Sequence, residues 1–389
     1  MSAGIGEGQL AVPPGGGKPW PGWMDVSSAP PLDVGACRRV LVVRTDHLGD
    51  LILSTPFLET LKRSLPRSHV TVLVTPYTRD ALSGNPSVDE VRALEPAPDE
   101  SEPPQSVRKN PYDVVIALSP TMRAYSIARG VKAPVRAGYI YSRRWVPRAL
   151  SNVLLTHRAV FHIDALVERR ETVPHEVEQL LWFARMLGLS AEPVPLRIYP
   201  SPDDVAAAGA RLEDPTLVAI ADASRRAPEW NTVSRRDSSW IAVHLSAAWI
   251  RHPWSMGAFA ELLKGLLHGL PNARVAITCG PQEVEWGREL RETYAGANRV
   301  KVVSDMSVCE WAAVLGAARI ALSADTGGIH VAAAMRTPVV AAYEQSTYHL
   351  CSQQWAPWMV PHRKVCKANP AEAIPEIVRE AADLWKPGR

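Results

Sequence analysis

The sequence predicts a doubly wound α/β protein built in two halves. Short apolar runs rich in Val, Leu and Ile alternate with stretches of helical periodicity, and two of these runs stop at polar, Gly-containing turns that lead straight into helices. A Pro-rich break separates two such series. Continuous β-rich runs suit central parallel strands covered on both faces. Strands alternating with helices suit an open sheet that binds ligands at the carboxyl ends of its strands.

The first series opens with Val40-Leu41-Val42-Val43-Arg44 and the turn Thr45-Asp46-His47-Leu48-Gly49-Asp50. Leu51, Ile52, Phe57, Leu58 and Leu61 then recur at helical spacing. Apolar runs at 70–74 and 114–118 continue the sheet, on either side of an acidic, Pro-rich loop at 95–105. Asp50 follows Gly49, where the glycine lets a substrate approach closely and the carboxylate either caps the helix or takes a proton from an attacking hydroxyl. Asp46 reads as a cap. Residues 175–189 form an amphipathic helix ended by Gly188, and the prolines at 193, 195, 200 and 202 mark a linker. The expected domains are therefore 37–196 and 197–369.

In the second series, strands are expected at 217–220, 241–245, 274–278 and 300–303, with an inserted loop at 222–239. The densest signal is Ile320-Ala321-Leu322-Ser323-Ala324-Asp325-Thr326-Gly327-Gly328-Ile329-His330, with another apolar run from Val339. A helix starting in that Gly-rich turn directs unpaired N–H groups and the positive end of its dipole at the sheet edge, which suits a phosphate. Thr326, Gly327 and Gly328 would supply N–H groups, and the anionic Asp325 would hold the loop in shape. Capping by Asp325 or Thr326 is the plain alternative. His330, one turn on, would meet phosphate or a neighbouring carbonyl. A C-terminal helix is expected over 371–385.

At 389 residues with 46% hydrophobic and 21% charged composition, the chain suits two globular domains. No apolar run approaches the roughly 20 residues of a spanning helix. Residues 1–36 read as a disordered arm without the basic start of a signal peptide, so a cytoplasmic protein is expected. Five cysteines without CxxC spacing argue against a disulfide framework and a zinc site. From Val114 to Ile163 there is no Asp or Glu, while Arg123, Arg143, Arg144 and five other cations are interleaved with Tyr125, Tyr139, Tyr141 and Trp145. Such a run is a solvated face or the seat of an anionic partner: substrate phosphates or carboxylates, a membrane surface, or last a nucleic acid, for which no motif is present.

Several motifs together resemble glycosyltransferase family 9, the heptosyltransferases of the lipopolysaccharide inner core. They are Val40 to Pro56 (VLVVRTDHLGDLILSTP), Gly84 to Asp89 (GNPSVD), His244-Leu245-Ser246 followed by Trp254, Gly280 to Glu283 (GPQE), Asp305-Met306-Ser307, and Ser323 to Val340, in family order. The resemblance implies a GT-B fold, two Rossmann-like domains facing across a cleft, with the C-terminal helix returning to the first domain. It implies inverting, metal-independent transfer of a sugar from a nucleotide diphosphate sugar, with no other cofactor. The absence of any Asp-x-Asp pair agrees. Asp50 would be the general base, Asp325-Thr326-Gly327 the donor diphosphate site, Ser246 its neighbour, and Glu283 and Met306 the nucleoside contacts. An anionic glycan or glycolipid acceptor, presented at the inner membrane, would meet His47, Gly49, Arg123, Arg143 and Arg144.

Three departures stand out. Where the family has a lysine before the tryptophan, the chain has Arg251-His252-Pro253-Trp254. Arg251 is favoured for the missing charge because it is cationic at any working pH, with His252 as the alternative. Glu344-Gln345-Ser346-Thr347 replaces a Gly-Pro/Ser-Thr segment, and His47 replaces a serine. These changes leave open a protein that binds a nucleotide sugar without turning it over. A basic face serving mainly as a docking patch is a third reading.

Overall fold

The computed structural model describes residues 20–27, 29–33, 35–94, 104–217 and 238–386. The chain divides into two compact units, Met1–Pro195 and Leu196–Arg389. The first is built on strands β1 (Met24–Val26), β2 (Arg39–Val43), β3 (His69–Val74), β4 (Glu90–Ala93), β5 (Val114–Ala117), β6 (Val135–Tyr141) and β7 (His157–Phe161). Its helices are α1 (Leu48–Leu53), α2 (Thr55–Ser64), α3 (Gln105–Arg108), α4 (Met122–Gly130), α5 (Trp145–Leu154), α6 (Ile163–Glu168) and α7 (Glu176–Met186). The sheet order is β1-β7-β6-β5-β2-β3-β4, parallel throughout except for β1 against β7.

The second unit carries β8 (Trp240–Leu245), β9 (Arg274–Cys279), β10 (Val300–Val303), β11 (Ile320–Ala324), β12 (Val339–Glu344) and β13 (His362–Lys367), all parallel, in the order β10-β9-β8-β11-β12-β13. Its helices are α8 (Pro202–Leu212), α9 (Met256–Gly269), α10 (Val284–Thr293), α11 (Val308–Ala317), α12 (Gly327–Ala334), α13 (Tyr348–Gln354) and α14 (Pro370–Trp385). The apolar runs become strands because both their faces are covered: Val40 to Val43 and Ile320 to Ala324 are all buried.

Strand order reverses between β2 and β5 in the first sheet and between β8 and β11 in the second. The connections leaving β2 and β5, like those leaving β8 and β11, diverge there and open a crevice at the carboxyl ends. Both Gly-containing turns read from the sequence therefore follow strands at switch points.

Two expectations change. The arm is ordered from residue 20 wherever it is described. β1 adds an antiparallel edge to β7, Trp23 packs edge-on to Phe161 at 5.5 Å, and Leu32 donates its N–H to Leu187 O at 3.0 Å. Two tryptophans and a methionine give this Pro/Gly-rich stretch enough apolar surface to hold it. Residues 1–19 lie outside the described residues. The C-terminal helix belongs to the second unit: Ala373, Ile377 and Ala381 of α14 are buried in its core, with Val378 against α9. Its small apolar residues recur every four positions, which suits a close helix face. The strand expected at 217–220 and the insertion at 222–239 fall almost wholly outside the described residues.

Among the described residues, no helix is long and apolar enough to cross a membrane. All five cysteines are free, and four are buried.

Candidate active site

The site in the first unit starts from Arg44, the residue at which the β2 run ends. Its side chain is only 1% exposed. Its guanidinium donates to Leu118 O, to the Tyr139 hydroxyl at 3.2 Å and to Asp50 O at 3.0 Å. It also meets Glu176 Oε1 at 2.6 Å, Asp46 Oδ1 at 3.2 Å and Asp50 Oδ1 at 3.7 Å. One buried cation thus holds three carboxyl groups from two chain segments.

Glu176 is delivered by α7. His175 caps that helix, its Nδ1 accepting the Val177 N–H at 3.1 Å while Glu178 accepts the His175 N–H at 2.9 Å. Phe183 of α7 stacks on Phe57 of α2 at 6.0 Å, which fixes the helix against the turn. Across the switch point, Ser119 Oγ accepts the Thr45 N–H at 2.8 Å.

Asp50 is both cap and pole of this cluster. Its Oδ2 accepts the His47 N–H at 3.2 Å, closing the first turn of α1, while its side chain keeps 23% exposure. Burial, then the neighbouring Glu176, push its carboxyl above the usual range, and Arg44 and the His47 N–H oppose this only in part. A carboxylate with a raised pKa and an open edge is suited to accept a proton from a hydroxyl. Asp46 does not cap α1 as expected; it turns back to Arg44, because a buried guanidinium needs counter-charge more than the exposed helix start needs a cap. Gly49 is buried and His47 exposed.

Of the basic run, Arg144 donates to Pro120 O at 2.7 Å, just beyond β5, and Arg123 lies in the first turn of α4. Arg143 is 73% exposed and 3.7 Å from Glu168. Arg136 is structural, donating to Leu154 O and Ala133 O.

In the second unit, Thr326 is the N-cap of α12, its hydroxyl accepting the Gly328 N–H at 3.4 Å and lying 3.1 Å from Ser323 Oγ. The Gly328 N–H therefore serves the cap, whereas it had been expected to face phosphate. Gly328 must be glycine for packing: a Cβ there would stand 2.8 Å from Ser323 Oγ and 2.9 Å from the His244 ring. No acidic residue lies in the first turn of α12. His330 is buried within the helix.

The other expected donor residues sit in loops at the same carboxyl edge. Ser246, after β8, is buried with an Oγ that finds no hydrogen-bond partner among the described residues. Glu283, after β9, accepts the Ala247 N–H at 3.2 Å and so ties the two loops. Half-buried Met306 follows Asp305, whose φ of 55° makes the turn after β10 and whose carbonyl accepts from Arg211 at 2.9 Å. Arg251 is exposed and close enough to Asp325 to pull its carboxyl down, though burial dominates and raises it; the Cys351 thiol also favours its charged form.

Glu344 pairs with Lys367, its register neighbour on β13, at 2.8 Å. Lys367 is 1% exposed and lies 5.4 Å from the centre of the Trp254 ring. The out-of-place glutamate is thus balanced by a buried lysine. Trp254 is itself buried, donating to Ala368 O at 2.9 Å, so it is a packing residue. Among the described residues, no group of three His, Cys, Asp or Glu side chains is placed to hold a metal.

Arg44, Glu176 and Lys367 escaped the sequence reading. Arg44 carried a signal, a charge closing a fully apolar strand; Glu176 and Lys367 carried none, since their partners lie 132 and 23 residues away.

Two Rossmann-like units with loops of this kind at their switch points define the GT-B fold. The fold is similar to that of a glycosyl transferase family 9 protein from Veillonella parvula (TM-score 0.67, 18% identity, 90% of this chain and 97% of that one). It is similar also to the E. coli heptosyltransferase WaaC with ADP (TM-score 0.61, 19% identity, 89% and 99%). The chain belongs to glycosyltransferase family 9 (heptosyltransferase), whose sequence pattern matches residues 104–382. By sequence it is 22% identical to lipopolysaccharide heptosyltransferase 3 of Escherichia coli K12 over 327 residues, 80% of this chain and 82% of that one. A putative glycosyltransferase of Haemophilus influenzae is 23% identical over 316 residues, 79% and 83%. The matched family range begins beyond Asp50, so the role of that residue rests on its geometry.

Proposed function

We propose that the protein is an inverting, metal-independent glycosyltransferase. It moves a sugar, heptose by family default, from a nucleotide diphosphate sugar to a hydroxyl of an anionic glycan or glycolipid. The carrying observation is the Asp50 carboxyl, raised in pKa, fixed on one side by Arg44 and His47 and open on the other.

In this reading the acceptor hydroxyl attacks the anomeric carbon on the face opposite the leaving nucleotide diphosphate, and Asp50 takes its proton as the bond forms. Arg44 is a positioning residue, since it is buried and touches Asp50 rather than substrate. The N-terminus of α12, with Arg251 near it, receives the charge developing on the leaving diphosphate. Ser246 supplies a hydroxyl left without a partner among the described residues. Arg123 and Arg144 meet the anionic acceptor, and no cofactor beyond the donor is needed.

The test is Asp50→Asn, assayed for sugar transfer and for nucleoside diphosphate binding. Transfer should fall roughly 10²- to 10⁴-fold, the range for loss of a positioned base, with nucleotide affinity unchanged. Full activity in that variant would falsify the assignment. A wild-type protein that binds donor yet never releases nucleoside diphosphate would instead support a binding protein without turnover.

A further inference from the structure

Seven large apolar side chains are exposed among the described residues, and four of them fall on the ten residues of α5: Trp145 (77% exposed), Val153 (71%), Leu150 (44%) and Val146 (38%). At about 100° per residue, Trp145, Ala149, Val153, Val146 and Leu150 share one arc of roughly 140°. Pro147, Ser151 and Leu154 occupy the opposite arc, where Ser151 is buried and Leu154 packs on the core around α4. The helix is therefore inverted relative to an ordinary surface helix, with its wider apolar face outward. A contiguous exposed apolar face of this kind marks an interaction surface.

Its charge surroundings select the partner. Arg143 and Arg144 precede the helix, Arg148 lies on its flank, and no acidic residue occurs between Val114 and Ile163. A cavity of about 450 Å³ opens beside α5, lined by Arg148, Arg158, Ser27, Asn152 and Asp25, the last of which is 2.8 Å from His162. An arginine-rimmed helix showing Trp, Val and Leu to solvent has the composition of an interfacial helix. A hydrophobic protein partner would account for the apolar arc but not for a rim where Arg143, Arg144, Arg148 and Arg158 outnumber the acids Asp25 and Glu168, each of which already faces a basic partner.

We propose that α5 lies in the interface of an anionic phospholipid bilayer, with Trp145, Val146, Leu150 and Val153 at the acyl-chain boundary and Arg143 and Arg148 on lipid phosphates. This surface is separate from the transfer chemistry, and its occupancy is measured without donor or acceptor.

The experiment is co-sedimentation of the full chain with phosphatidylcholine vesicles, with and without phosphatidylglycerol, alongside sedimentation velocity of the free protein. Wild type should bind the anionic vesicles, and brominated acyl chains should quench a tryptophan signal that disappears in Trp145→Phe. The triple variant Trp145→Ser/Leu150→Ser/Val153→Ser should lose at least about tenfold in vesicle affinity with an unchanged melting temperature, since each side chain contributes only if it leaves water. Arg148→Ala should lose about fivefold, the effect of one basic residue at such a surface. The proposal is overturned if wild type ignores anionic vesicles, or if the triple variant binds them as well as wild type, which would make the contact electrostatic alone. It is equally overturned if the free protein is a dimer that the triple variant dissociates, because a second copy then covers the face.

Discussion

The turn after β2 and the turn after β11 are the same piece of architecture put to opposite uses. Each leaves a parallel strand at a switch point and enters a helix. In the first, the helix start already has its anion: Asp50 sits in the opening turn, takes the His47 N–H, and is backed by Arg44. In the second, the cap is a neutral hydroxyl, the opening turn holds two glycines, and the nearest acid is a carboxyl that burial shifts toward its neutral form. In the proposed function, side chains rather than backbone decide whether such a turn becomes a base or a seat for an anion. A filled helix terminus presents a carboxylate to substrate; an unfilled one presents its dipole.

The contrast can be broken most forcefully at Asp50. The loss of roughly 10²- to 10⁴-fold in Asp50→Asn should appear in kcat, whereas changes around α12 should appear in donor affinity. A variant of either turn that affected both equally would erase the distinction. Next in size, Arg44→Met should destabilise the fold by about 3–5 kcal/mol in denaturant unfolding, because it strands Asp46, Asp50 and Glu176 together without a cation. On the other side, Gly328→Ala forces a Cβ against Ser323 and His244. An overpacking cost of about 1–3 kcal/mol follows, read as a lower melting temperature and weaker nucleoside diphosphate binding by calorimetry.

The pH response sharpens the contrast further. In its proposed role as base Asp50 must be ionised, so kcat/KM should fall as pH drops through its raised pKa. For stability the sign reverses. A carboxyl whose folded pKa is raised helps the fold below its unfolded pKa and loses that contribution as pH rises through the folded value. Asp50→Asn should therefore melt higher than wild type at neutral pH, and the gain should vanish on acidification. The smallest effect is expected at Arg143, whose exposed pairing with Glu168 should contribute within about 0–1 kcal/mol to stability.

Much of this was legible in the sequence. The strands β2, β3, β5 and β8 to β12 were, because parallel strands buried on both faces must be nearly pure apolar runs, as Val40 to Val43 are; β4, β6, β7 and β13, which carry charged or polar residues, were not. The α12 turn was, because close contact with Ser323 and His244 admits only glycine at 328. The partners of Asp50 were not. Glu176 reaches Arg44 only once α7 docks on α2, and a glutamate in a helix's first turn reads as an ordinary dipole partner. α5 was not read at all, because its residues stood inside the basic run, and periodicity in any case does not say which way an apolar side points. β1 was missed because three residues in a Pro/Gly-rich stretch carry no pattern of their own; β7 supplies it.

That short strand bears on how the protein can be handled. The sequence invites trimming at residue 36, ahead of the first long apolar run. Cutting there removes β1 and leaves β7 with an open row of backbone donors and acceptors, its Phe161 stripped of Trp23. An uncovered edge of this kind is a template for pairing with another chain. A shortened version should begin before Trp20, and one begun at residue 37 should fail by aggregating rather than by losing its chemistry.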